Sequence, residues 1–266
     1  MRKQQTASLK LQITVPFGIG IYLIVMICGF IFLGYGSVAL AKDTCINCHR
    51  NPDFVVTNKK LFDYFKEWNL SIHAQEGVSC SDCHGGNPEA SKKNTAHGGK
   101  GGTQKMQSAV NFRNIPETCG QCHDNILDSY HKSNHFRHLK IRKQEQQGPN
   151  CVTCHGSLNS VALNVNTVKQ TCLICHNPKS GNHPEIPEKA EWLLNKFLSI
   201  HRLFRYVTVR GDSAQDRDYV KKVNIKIESL SEDWHKFDLT NFQKEVTQTL
   251  DSLKAKRNEI RKERTK

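Results

Sequence analysis

Five times the chain repeats the pattern Cys-x-x-Cys-His: Cys45-Ile-Asn-Cys48-His49, Cys80-Ser-Asp-Cys83-His84, Cys119-Gly-Gln-Cys122-His123, Cys151-Val-Thr-Cys154-His155 and Cys172-Leu-Ile-Cys175-His176. This pattern is the attachment signature of c-type haem, in which two thiols add to the vinyl groups and the adjacent His reaches the iron. Paired cysteines also build zinc sites and redox dithiols, but neither use calls for His at the next position. Ten of the eleven cysteines are consumed by the motifs. The remaining one, Cys28, lies in an apolar run and reads as a buried, inert thiol. The motifs therefore predict five covalently bound haem c groups, with His49, His84, His123, His155 and His176 as iron ligands.

The rest of the chain agrees. Between its N-terminal apolar run and residue 186 it is rich in Gly, Asn, Lys and His and shows little sustained apolar pattern. Such a stretch cannot bury enough side chain to offset its ordering entropy, so the haems must supply the core. The formal charge of +13 suggests nucleic acid or anionic lipid at first sight. Two propionates on each haem add about −10 and leave the loaded protein mildly basic, which removes the case for nucleic acid.

At the N-terminus, Arg2, Lys3 and Lys10 precede an uncharged stretch from Leu11 to Ala41, and the next charge is Lys42. The apolar heart from Phe17 to Leu33 is long enough to cross a bilayer as one helix. Positive charge in front of it predicts a cytoplasmic N-terminus and everything after Lys42 outside, on the periplasmic face. Ala39-Leu40-Ala41 also has the form of a signal-peptide cleavage site, so either a single-pass anchor in the cytoplasmic membrane or release into the periplasm is open. Either way the haem region is exported.

Residues 43–185 contain an internal repeat. Trp68-Asn-Leu-Ser71-Ile-His73 leads to Gly77 and the second motif, and Tyr130-His-Lys-Ser133-Asn-His135 leads to Gly148 and the fourth. The region thus reads as two dihaem modules followed by a fifth haem. Thirteen histidines leave eight beyond the motifs, enough for a second axial ligand at every iron. His73 and His135 hold equivalent repeat positions and lead the candidates. His97, in Thr95-Ala-His97-Gly-Gly, follows, and then His183 and His201. His131 and His138 read equally as solvated members of a basic stretch, and His235 as a surface residue. Only Met106 lies outside the N-terminal segment, so bis-histidine ligation is the default.

Beyond Pro187 a helical period takes over. Leu193, Phe197, Ile200, Phe204 and Val207 form one stripe; Val220, Val223, Ile227, Leu230, Trp234 and Phe237 a second; Phe242, Val246, Leu250 and Leu253 a third. Ser213 with Asp216 and Thr240 with Gln243 fit helix caps, and Gly211 fits a break. The short link through Asp238 predicts an antiparallel hairpin. Its stripes pack on each other and on the haem region, and their spacing also permits self-association or docking to a complex.

An N-terminal span followed closely by the first motif, Ala41 then Cys45, resembles the membrane-anchored NapC/NirT/NrfH quinol dehydrogenases. That resemblance implies that the first haem sits at the membrane surface and takes electrons from menaquinol or ubiquinol. The chain departs from the family in carrying five motifs rather than four and His49-Arg-Asn-Pro after the first. The aromatic-x-x-Ser-x-His element and Cys83-His-Gly-Gly-Asn-Pro88 are similar to the hydroxylamine oxidoreductase-related multihaem cytochromes. There the Ser-x-His histidine is a distal haem ligand, which carries over to His73 and His135.

The sequence therefore predicts a mainly α chain with much irregular loop in three parts. These are an N-terminal membrane segment (1–42), a pentahaem cytochrome c domain (43–185) and a helical C-terminal region (186–266). The expected role is electron transfer from membrane quinol to an exported redox partner protein, as a carrier or quinol dehydrogenase subunit. The competing readings are catalysis on a small nitrogen or sulfur compound, which requires an open iron position, and a haem subunit of a larger respiratory complex.

Overall fold

The computed structural model describes residues 43–98, 106–140, 148–158 and 164–265. The expected N-terminal span and Cys28 lie outside these residues. Among the described residues the secondary structure is helical, with no strand, and no helix is long and apolar enough to cross a membrane.

The haem region is a string of short helices. In chain order they are α1 (Thr44–His49), α2 (Asp53–Thr57), α3 (Lys59–Asn69), α4 (Ile72–Gln75), α5 (Cys80–His84), α6 (Lys93–Ala96), α7 (Ile115–Cys119), α8 (Asp124–His131), α9 (Asn134–Lys140), α10 (Cys151–His155) and α11 (Val165–Cys175). Three long helices follow: α12 (Ile186–Arg210), α13 (Ala214–Asp233) and α14 (Leu239–Glu263), the last two joined by a 3-10 turn, Trp234–Lys236.

The two regions differ in what they bury. In the C-terminal region Leu193, Ile200, Val207, Val223, Ile227, Leu230, Phe242, Val246, Leu250, Leu253 and Ile260 form one buried apolar cluster shared by α12, α13 and α14. Burying each such side chain contributes roughly 1.5–3 kcal/mol, so this bundle has an apolar core of its own. The expected hairpin is thus the α13–α14 half of a three-helix bundle, completed by α12. Ion pairs Lys226–Glu245 and Lys256–Asp216 and the Tyr219–Ser252 hydrogen bond step in opposite directions along α13 and α14, which makes them antiparallel.

Ser213 caps α13 through a capping box with Asp216, as its sequence predicts. The cap of α14 is Asp238 rather than Thr240, its carboxylate accepting from the N–H groups of Thr240 and Asn241. Aspartate accepts two such donors at once and favours the positive helix end. That advantage moves the boundary two residues back.

The haem region has no comparable core. Among its described residues the buried apolar side chains are few, Tyr130, Leu139 and Pro116, while Ser71, Ser108, Ser129, Ser133 and Asn150 are buried as well. The short helices are set by hydrogen bonds instead. Thr44 ties α1 to the loop after α5, its N–H and hydroxyl both donating to Pro88 O at 2.8 Å. Asn150 Nδ2 donates to Phe112 O at 2.8 Å, and Tyr130 OH donates to Pro149 O.

Candidate haem sites

Each motif lies on or beside a helical turn, so its two cysteines and its histidine come from one short stretch of backbone. The second and fourth motifs are built alike. Ser79 precedes α5 and its N–H donates to Asp82 Oδ2 at 2.7 Å; Asn150 precedes α10 and its N–H donates to Thr153 Oγ1 at 3.1 Å. Both helices end at a glycine with positive φ, Gly85 at 68° and Gly156 at 80°. Only glycine takes that conformation without strain, which explains the Cys-His-Gly of the repeat.

The Ser-x-His element also has a physical reason. Ser71 Oγ accepts from Ala74 N–H at 3.1 Å, and Ser133 Oγ accepts from Phe136 N–H at 3.0 Å. Each serine is fully buried and caps a helix, α4 or α9, whose first turn carries His73 or His135. The cap fixes where the helix starts and so where the imidazole points.

Those imidazoles meet motif histidines. His97 faces His49 with ring centres 6.2 Å apart, His73 faces His123 at 6.4 Å, and His135 faces His176 at 6.1 Å. A fourth pair, His155 and His235, stands at 6.2 Å with near-parallel rings. Two metal–nitrogen bonds of about 2 Å each, plus the radii of two imidazole rings, give a centre-to-centre distance of roughly 6 Å. Direct stacking would bring rings closer, and hydrogen-bonded imidazoles would as well. Four pairs at this one separation fit an iron between the rings.

The surroundings favour the neutral imidazole that binds iron. Burial, with the neighbouring His176 and His138, lowers His135 to about 4. Burial also lowers His49, His84 and His235, helped by His97 at His49, by His49 at His84 and by His155 at His235. His135 Nδ1 is buried with no hydrogen-bond partner, as suits a ring held by something other than polypeptide. Among the described residues no three His, Cys, Asp or Glu side chains converge as a metal-ion cluster would need; the sites are opposed pairs.

The thiols fix the order of the sites. All ten motif cysteines are free of disulfides. Burial raises Cys45 to about 11 and Cys80 to about 12, and Cys80 is close enough to Cys45 to feel its charge. Cys83 feels Cys119 and Cys122, Cys119 hydrogen-bonds Cys151, and Cys154 feels Cys172 and Cys175. Each motif is therefore a neighbour of the next, from the first to the fifth.

His235 is the residue that reasoning from sequence missed. Far from being a surface residue, it is half-buried in the turn between α13 and α14 and faces His155. Phe237 in the same turn adopts a left-handed φ of 54° and sets its ring 4.4 Å from His135. A non-glycine residue pays about 1–2 kcal/mol for that conformation. The turn thus reaches two sites at once. His183 and His201 stand elsewhere: His183 lies 3.2 Å from Glu185 Oε1, and His201 packs edge-on against Phe197. Neither faces a motif histidine, nor do His131, packed on Phe136, or His138.

No family model and no solved structure matches the chain. Curated proteins do, among them two multihaem cytochromes. The C-type polyheme cytochrome OmcC of Geobacter sulfurreducens is 26% identical over 132 residues, covering 48% of this chain and 16% of that protein. Multiheme cytochrome MtrA of Shewanella baltica is 24% identical over 155 residues, covering 58% of this chain and 37% of that protein. The chain is similar to multihaem c-type cytochromes. It spans well under half the length of either relative.

Proposed function

We propose that the chain is a five-haem electron-transfer cytochrome that takes electrons from membrane quinol and passes them to an exported redox partner protein. The observation that carries the electron-transfer reading is the set of opposed imidazoles at 6.1–6.4 Å on motifs that neighbour one another in sequence order. In this reading His97, His73, His235 and His135 would hold haem iron at the first, third, fourth and fifth sites, opposite His49, His123, His155 and His176, and bound haem would supply one-electron chemistry at each site. The chain's residues hold the sites in series, and burial favours the neutral imidazole at His49, His84, His135 and His235.

The quinol end of the proposal rests on the sequence. An apolar N-terminal run closes at Ala41, and the first motif begins at Cys45. A retained anchor brings the first site to the membrane surface on the periplasmic side. Membranes holding the full-length haem-loaded chain test this, with a reduced menaquinol analogue added under anaerobic conditions. Reduction of the haem bands by quinol, abolished when residues 1–42 are removed and the haem region is exported by a cleavable signal, is the expected result. Haems that dithionite reduces and quinol leaves oxidised would overturn quinol as the donor.

A further inference from the structure

The second motif breaks the pattern. All thirteen histidines lie among the described residues, and none of them stands opposite His84. The neighbouring imidazole that His84 feels is His49, which is itself paired across the first site with His97.

The internal repeat shows why this site differs. His73 precedes the second motif and faces the third; His135 precedes the fourth and faces the fifth. In each module the capped histidine skips the motif directly after it. The second and fourth motifs are thus equivalent in being skipped, as they are in their capping boxes and trailing glycines. The fourth is served from outside its module, by His235 in the turn of the C-terminal bundle. Among the described residues the second has no counterpart to that turn.

We infer that the site at Cys80, Cys83 and His84 is held by histidine from one side alone and is a binding site for a small external ligand. The ligand class follows from haem chemistry: a diatomic molecule or another small lone-pair donor that coordinates iron directly. This inference rests on the haem reading above. Its place in the series gives it consequence, because Cys80 adjoins Cys45 of the first motif and Cys83 adjoins Cys119 and Cys122 of the third. A ligand bound there meets electron-transfer sites on both sides.

Carbon monoxide titration of the dithionite-reduced full-length holoprotein tests it, alongside a haem count on the same sample. The expected result is one equivalent of carbon monoxide per chain and a high-spin ferric signal from one haem in five. A Cys80→Ser/Cys83→Ser variant should keep four haems and lose both signals. Five haems with no carbon monoxide bound and a wholly low-spin spectrum would overturn the inference while leaving the haem reading intact. Binding retained by the double variant would also overturn it. Should that variant fail to accumulate, the wild-type stoichiometry still decides. A haem count below five would instead count against the haem reading itself.

Discussion

At the level of single residues, the sites depend on small local devices with measurable consequences. His235→Ala removes the imidazole opposite His155, and one further high-spin, carbon monoxide-binding haem is expected in that variant. His201→Ala, on the same bundle but facing no motif histidine, should leave the visible and electron paramagnetic resonance spectra unchanged. Equal effects from the two substitutions would refute the assignment. The contrast also shows what a sequence can reveal. His73 and His135 are legible because their position is made locally, by a serine cap two residues earlier. His235 is not, because its partner His155 lies in another region and the two meet only when the bundle docks. His183 and His201 attract attention by closeness to the last motif in sequence, yet a helix start and a helix face direct them elsewhere.

Among the elements, the C-terminal bundle sets His235 opposite His155 and the Phe237 ring against His135. Its three stripes are readable from apolar spacing, and so are the break at Gly211 and the Ser213 cap. The third partner of the hairpin and the Asp238 cap are not, since both depend on which contacts compete once the helices meet. The pair Lys256 Nζ–Asp216 Oδ1, 2.6 Å apart, clamps the start of α13 to α14, with both side chains largely buried. Lys256, with the Ser213 hydroxyl and backbone N–H, holds the Asp216 carboxyl down at about 2, and Lys256 is raised in turn. A carboxyl depressed in the folded state adds stability above its unfolded value near 4, and that contribution is lost as pH falls toward 2. Asp216→Asn should therefore cost on the order of 2 kcal/mol at pH 7 and far less near pH 2. Chemical denaturation of the holoprotein followed by far-ultraviolet circular dichroism checks it; a cost that does not shrink in acid would contradict the role given to the pair.

For the whole molecule, the contrast between a bundle with its own apolar core and a haem region almost without one is the strongest physical argument. The few buried apolar side chains of the haem region cannot hold some 140 residues in place by themselves. What its described residues supply instead is ten motif thiols in neighbouring pairs and four sets of opposed imidazoles. The haem motifs, and the need for something other than side chains in the core, are plain from the sequence. The pairing of histidines across modules is not, because it joins residues up to eighty positions apart. The measurement that tests this most directly is the intact mass of the purified holoprotein, taken under denaturing conditions that leave thioether bonds in place. The expected mass is the polypeptide plus five covalently held haems; polypeptide alone, or fewer haems than motifs, would contradict the five-haem assignment.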